Sequence, residues 1–291
     1  MTPSSFGKRV ARSLWRAAPT MSYSGVVGWG ARQILPAAVR KSVIGAFARK
    51  VGAVLEDAEN PIEQYESLQA FFTRRLKPGL RPVDTSPDAI VHPADGRLVA
   101  AGVADEDCRV EVKGISFSIP QLLGGEDIAA PFAGGAFAIT YLSPKDYHRV
   151  HSPSEGNVTG WVHIPGTLFP VNDASVAREP GLFAINERHV TLLEGPVGRF
   201  AVVMVAAVGV GHITVSYDPS VATHDGLAND GKIRIRRFPV GQRPRIERGG
   251  ELGIFHLGST SIILFEKGRA TLESADVGAT GRVGSRIGTR A

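Results

Sequence analysis

Phe255-His-Leu-Gly-Ser-Thr-Ser-Ile-Ile-Leu-Phe265 passes from a loop of small polar residues directly into four consecutive large apolar ones. A run this short, bounded by Gly and Ser, reads as a buried strand that a loop enters, not as a helix. The same texture continues outward through the chain. Arg97–Val103, Ala136–Leu142, His189–Leu193 and Arg199–Val205 are short β-like runs separated by Gly, Pro and Asp, with Glu194–Gly198 a hairpin connection. Phe200–Gly211, the most apolar stretch present, reads as a further buried strand.

N-terminal to about residue 90 the pattern changes to a helical one. Val39, Val43, Phe47, Val51 and Leu55 recur every four residues, the period of one helix face. Leu68, Phe71, Phe72 and Leu76 repeat at three- and four-residue spacing behind Ser67, a residue suited to cap the turn before them, and Pro78-Gly79 and Arg81-Pro82 close the segment. The expected fold class is α+β, with a basic helical region over residues 1–80 and a mainly antiparallel β domain over residues 81–291.

With 291 residues, 43% of them hydrophobic, the chain is able to bury a substantial core, and disorder is a poor description of the whole. Cys108 is the single cysteine, which excludes an internal disulfide and a cysteine-based zinc site and fits a reducing compartment. The net charge of +5 is unevenly spread: residues 1–55 carry nine Lys or Arg and no Asp or Glu, leaving −4 for the remainder. A positive surface attracts anionic lipid and nucleic acid alike. Trp15, Met21, Tyr23, Val26, Val27 and Trp29, interleaved with those charges, favour lipid. Ala17–Ala31 is uncharged but too short to span a bilayer, and Pro19 interrupts it. Peripheral contact is expected, although Arg40 and Lys50 would also suit a helix that simply packs on the domain.

Titratable residues concentrate in Tyr141-Leu-Ser-Pro-Lys-Asp-Tyr-His-Arg-Val-His151. On an extended segment Asp146 and His148 share a side, and a turn would bring His151 back to them. Histidine accepts and returns protons near neutrality. The His pair could instead bind a metal, but neither His-Glu-x-x-His nor a second Cys/His cluster is present, and no metal is assigned. Asp95-Gly96 reads either as a plain turn or as a placed carboxylate. In Gly258-Ser259, glycine gives the serine hydroxyl room to approach the carbonyl before it.

Taken together, Gly28-Trp29-Gly30, Phe71-Phe72-x-Arg74, Pro93-Ala-Asp-Gly96, the Tyr141–His151 motif, Pro165-Gly-x-Leu-Phe169, Asn186-Glu-Arg188 and Leu257-Gly-Ser-Thr260 resemble phosphatidylserine decarboxylase in its membrane-associated bacterial form. The resemblance spans most of the chain in one order. It implies a pyruvoyl enzyme that cuts itself between Gly258 and Ser259, with Asp95, His151 and Ser259 as the self-cleavage triad and Asp146 and His148 as neighbouring functional residues.

The covalent pyruvoyl cofactor would derive from Ser259, leaving a β chain, Met1–Gly258, and an α chain that continues with Thr260–Ala291. The implied partners are phosphatidylserine, an anionic membrane approached peripherally from the cytoplasmic face, and the two cleaved chains themselves. A homodimer is compatible with the sequence, and no nucleic acid is expected. A membrane-surface binding protein without catalysis is the alternative from another class, and a metal-dependent hydrolase a second. Both leave the conjunction of Asp95, His151 and Gly258-Ser259 unexplained.

Overall fold

A computed structural model describes residues 28–112, 115–171, 173–179, 181–207, 212–223, 231–256, 259–273 and 277–291. Nine strands among these form one antiparallel sheet. From one edge the order is Arg234–Arg237, Gly156–Ile164, Arg188–Gly195, Gly198–Ala206, Ser259–Phe265, Ala136–Leu142, Gly96–Val103 and Thr280–Gly281, and the short strand Arg245–Ile246 also pairs with Gly156–Ile164. The four β-like runs read from sequence are strands, and the expected hairpin is present with Gly195 opposite Gly198.

Ser259–Phe265 lies inside this sheet with all seven residues buried, paired on both sides. Its side chains alternate between two cores. Ile262 and Leu264 join the cluster containing Val110, Phe117, Leu123, Phe132 and Phe183, while Ile263 and Phe265 join that of Ile90, Val150, Ile213, Leu252 and Phe255. Because both faces are covered, the strand and its neighbour Gly198–Ala206 are apolar at nearly every position instead of every second one. Burying Ile262, Ile263, Leu264 and Phe265 contributes roughly 6–12 kcal/mol as an upper estimate. A chain break just before this strand would therefore not release it.

Two three-stranded sheets cover the second core. One is ordered Ala89–Val91, Arg286–Arg290, Ala270–Leu272, and the other Ile213–Val215, Glu251–Phe255, Arg149–His151. Together the sheets and short helices form a mixed α and β fold dominated by antiparallel pairing.

The N-terminal helical reading needs three corrections. The helix that carries the four-residue repeat runs Ala37–Val51 and stops at Gly52, whose φ of 79° closes it, so Leu55 lies beyond the helix. Its buried face is Ile44, Gly45 and Ala48, whereas Val39 is 40% exposed. The second helix is only Leu68–Phe72, capped by Ser67, whose Oγ accepts the Ala70 N–H at 3.0 Å. Leu76 falls outside it and instead forms a bridge with Ala58. Periodicity overran the first of these helices because Leu55, in the following loop, packs on the same cluster, formed by Ile44, Ala48, Ala58, Tyr65 and Phe71.

No helix among the described residues is long and apolar enough to cross a membrane. Trp15, Met21, Tyr23, Val26 and Val27 lie outside the described residues, as do Leu257, Gly258 and the end of the Phe200–Gly211 run.

Candidate active site

Ser259 opens the central strand, opposite Leu142 on one side and Ala206 on the other. It is 1% exposed, and its Oγ is buried without a hydrogen-bond partner, as are the hydroxyls of Thr260 and Ser261. Leaving a buried hydroxyl unbonded costs on the order of 1–3 kcal/mol, so three in succession at a strand entrance call for a reason beyond packing. Among the three, Ser259 alone follows the glycine.

The Tyr141–His151 segment leaves the strand at Leu142 and turns back, with the Asp146 N–H donating to the Ser143 carbonyl at 2.9 Å. No hydrogen bond joins the Asp146 carboxylate to the His148 ring. The Asp146 carboxylate instead accepts the Ser143 N–H and hydroxyl, each at 2.7 Å, and burial raises its pKa against those two bonds.

His148 is fully buried, with its ring centroid 3.8 Å from that of Phe72. Its Nδ1 lies 2.8 Å from the Asp146 carbonyl, which fixes the proton on Nδ1 and leaves Nε2 as a lone pair with no partner. Burial depresses its pKa to about 3, so the ring is neutral. The His148 carbonyl accepts the Phe255 N–H at 2.9 Å, setting this residue beside the end of the strand Glu251–Phe255, four residues before Ser259 in sequence.

His151 donates Nδ1–H to the Gly249 carbonyl at 2.8 Å, and the Tyr147 hydroxyl stands 3.3 Å from its Nε2. Burial lowers its pKa against the bond to Gly249. Asp95 is buried in the bend before Gly96 and is clasped by Arg81, through Nε at 2.9 Å to both oxygens and Nη2 at 2.5 Å, with the Val283 N–H adding 2.8 Å. Gly96 itself has a φ of 156°, and a side chain there would collide with the Tyr141 carbonyl. The glycine is required by strand approach as well as by the bend.

Asp95, His151 and Ser259 thus converge on the same end of the sheet, but no hydrogen bond joins Asp95 to His151 or His151 to Ser259. The sequence reading missed the residues that occupy those two. Arg81 had been legible only as part of a helix-ending Arg-Pro pair. Tyr147 sits inside the quoted motif, four residues before the histidine it touches. His256, which had no expected role, is held between Gln69 Nε2 at 2.8 Å and Thr214 Oγ1 at 3.1 Å. No group of three or more His, Cys, Asp or Glu able to hold a metal occurs among the described residues.

Buried neutral histidines make the fold acid-sensitive. Burial lowers both His148 and His189 to about 3, against about 6.5 when unfolded. The unfolded chain therefore binds protons below pH 6.5 that the folded chain does not, and this stabilisation is present above pH 6.5 and lost as pH falls toward 3. Between pH 7 and pH 5 we expect a loss on the order of 2 kcal/mol for each of the two. Urea midpoints at the two pH values measure it, and a flat midpoint would contradict the assignment.

A protein-family model described as phosphatidylserine decarboxylase matches residues 68–289. The chain belongs to the phosphatidylserine decarboxylase family. Its class is that of a carboxy-lyase made as a zymogen, and its reaction is the pyruvoyl-dependent decarboxylation of phosphatidylserine to phosphatidylethanolamine in phospholipid biosynthesis, after autocatalytic processing. It is 44% identical to the phosphatidylserine decarboxylase proenzyme of Myxococcus xanthus (strain DK1622) over 276 residues, covering 94% of this chain and 96% of the relative. The proenzyme of Anaeromyxobacter sp. (strain K) is 42% identical over 281 residues, 96% and 98% of the two chains. That of Acinetobacter baumannii (strain AYE) is 42% identical over 275 residues, 92% and 93%. The enzyme is membrane-associated, like its family.

Proposed function

We propose that the chain cuts itself between Gly258 and Ser259 and that Ser259 becomes the pyruvoyl group that decarboxylates phosphatidylserine. The observation that carries this reading is the Ser259 hydroxyl, buried and unbonded at the first position of a strand held on both sides. Ser259 Oγ attacks the Gly258 carbonyl carbon, the peptide bond becomes an ester, and the Ser259 nitrogen is freed as an amine. Loss of the Ser259 α-proton expels the Gly258 carboxylate, and water then displaces the nitrogen as ammonia, leaving a ketone.

His151 is the base for the hydroxyl. With Nδ1–H held by Gly249, its Nε2 is the nitrogen able to accept a proton. Asp95 supplies the carboxylate of the triad, which requires it to exchange its Arg81 clasp for the imidazolium that forms. The pyruvoyl ketone supplies an electrophile for the substrate amine and an acceptor for the electron pair left by carbon dioxide. His148 Nε2, unbonded and shielded from water, takes a proton from the substrate ammonium and returns it to the α-carbon. Asp146 keeps the Ser143 turn closed, and with it the position of the His148 ring.

Residues 1–80 carry the membrane contact and residues 81–291 the reacting groups, with Phe72 reaching from the first against His148 in the second. Trp29, 64% exposed, and Ile34, 72% exposed, stand on the basic N-terminal region as a peripheral contact for anionic lipid on the cytoplasmic face. Replacing both by serine should weaken binding to anionic vesicles, read by co-sedimentation, by about tenfold to a hundredfold, since two half-buried apolar side chains contribute about 1.5–3 kcal/mol to such contact. Unchanged sedimentation would place the contact elsewhere. The cleavage itself is tested by the mass of the denatured protein. One fragment ending at Gly258 and a second beginning with a blocked residue 259 are expected, and a single intact mass would refute the reading.

A further inference from the structure

Beside the Asp95 bend lies a recess of about 200 Å³ whose lining includes three carboxylates, Asp57, Asp95 and Asp146, and the apolar Val54, 52% exposed. Four cations line it: Arg74, Arg81, Lys145 and Arg282. Arg81 is committed to Asp95. The other three form no salt bridge with a carboxylate among the described residues, although Asp57, Asp95 and Asp146 act on Arg74 through their charge and Lys145 on Asp146 through its own. Arg74 is 5% exposed, gives Nη2–H to the Lys145 carbonyl at 2.9 Å, and keeps a buried Nε–H with no partner. A buried guanidinium with an unmet donor is costly to desolvate, and an anion in reach of it would offset that cost. Lys145 and Arg282 are exposed at the same recess, where a mobile or incoming anion is able to reach them.

The recess is close to the reacting atoms along the chain. Asp146, in its wall, is bonded to Ser143, which follows Leu142, the partner of Ser259 in the sheet. In a serine phospholipid only one carbon and one oxygen separate the α-carbon from phosphorus, so the phosphate must rest beside the residue that captures the amine. We propose that this recess binds the phosphodiester of the lipid headgroup through Arg74, Lys145 and Arg282, with the acyl chains leaving past Val54. This rests on Ser259 being the residue that engages the substrate amine.

The site can be tested without processing or turnover. Glycerol phosphate is titrated calorimetrically into the full-length Ser259→Ala chain, and into the same chain carrying Lys145→Ala and Arg282→Ala. Loss of two charge-assisted contacts should weaken binding by about tenfold or more. Equal binding by both chains, or none by the parent, would overturn the proposal. In the second arm the double variant is made with Ser259 intact, and its processing is checked by fragment mass. Its KM for phosphatidylserine in vesicles should rise by about tenfold while kcat changes by less than about threefold, the signature of lost ground-state binding, and Lys145→Arg should restore most of the Lys145 contribution. Weakened glycerol phosphate binding with an unchanged KM would mark a site for free phosphate and overturn the headgroup assignment. Failure of the Ser259 reading is seen separately, as a native chain of single mass.

Discussion

Ser259→Ala is expected to remain one full-length chain with no decarboxylase activity and an unchanged fold. The residue has two successive and incompatible tasks. As serine it supplies the nucleophile that breaks the chain, and afterwards its Cα carries the ketone that captures the amine. Alanine supplies neither, so both losses should be complete. The fold should survive because the hydroxyl has no hydrogen bond to lose, and removing an unbonded buried oxygen is neutral or stabilising. Fragment mass, activity and a urea midpoint measure the three outcomes together. An unfolded variant would mean that the strand entrance depends on a contact of Ser259 that the structure lacks.

His148→Gln separates the second reaction from the first. Glutamine approximates the volume against Phe72 and offers an amide to the Asp146 carbonyl, but it cannot carry a proton between substrate nitrogen and carbon. Processing should go to completion, because His151 and not His148 is the base assigned to Ser259. Decarboxylation should then fall by about a hundredfold to ten-thousandfold, the usual worth of a positioned proton carrier. A variant that processes fully and decarboxylates within about threefold of the native rate would remove His148 from the chemistry. Arrest before cleavage would move His148 into the self-processing step.

The β domain was legible because its signals are local. Ile262–Phe265 and Phe200–Val205 are apolar without interruption, and a sheet buried on both faces needs no alternation, so the runs mark strands in the middle of the sheet. Gly195 and Gly198 bracket a turn that sequence alone places. The helical region was harder to read. Leu55 and Leu76 continue the helical spacing yet lie past the last helical turn: Leu55 packs from a loop on the small apolar cluster, and Leu76 is held by its bridge to Ala58.

For the site, residue identities were legible and their partners were not. Asp95, Asp146, His148, His151 and Ser259 stand in recognisable motifs. Asp146 and His148 bond within the motif, but what Asp95, His151 and the neighbouring His256 touch comes from elsewhere in the chain. Arg81 reaches Asp95 from 14 residues earlier, Gly249 reaches His151 from 98 residues later, and Gln69 reaches His256 across 187 residues. Long-range approach of this kind leaves no periodic signature. Asp146 and His148 meet through the Asp146 carbonyl and not through its carboxylate, which Ser143 holds.

The most direct measurement is borohydride reduction of the protein in the presence of phosphatidylserine, followed by fragment mass, with the native chain and Ser259→Ala side by side. Hydride should fix the lipid-derived amine covalently to the short fragment that begins at residue 259, and only in the native protein. Label on the long fragment, or equal label on the alanine variant, would contradict the assignment of Ser259 as the source of the reactive carbonyl.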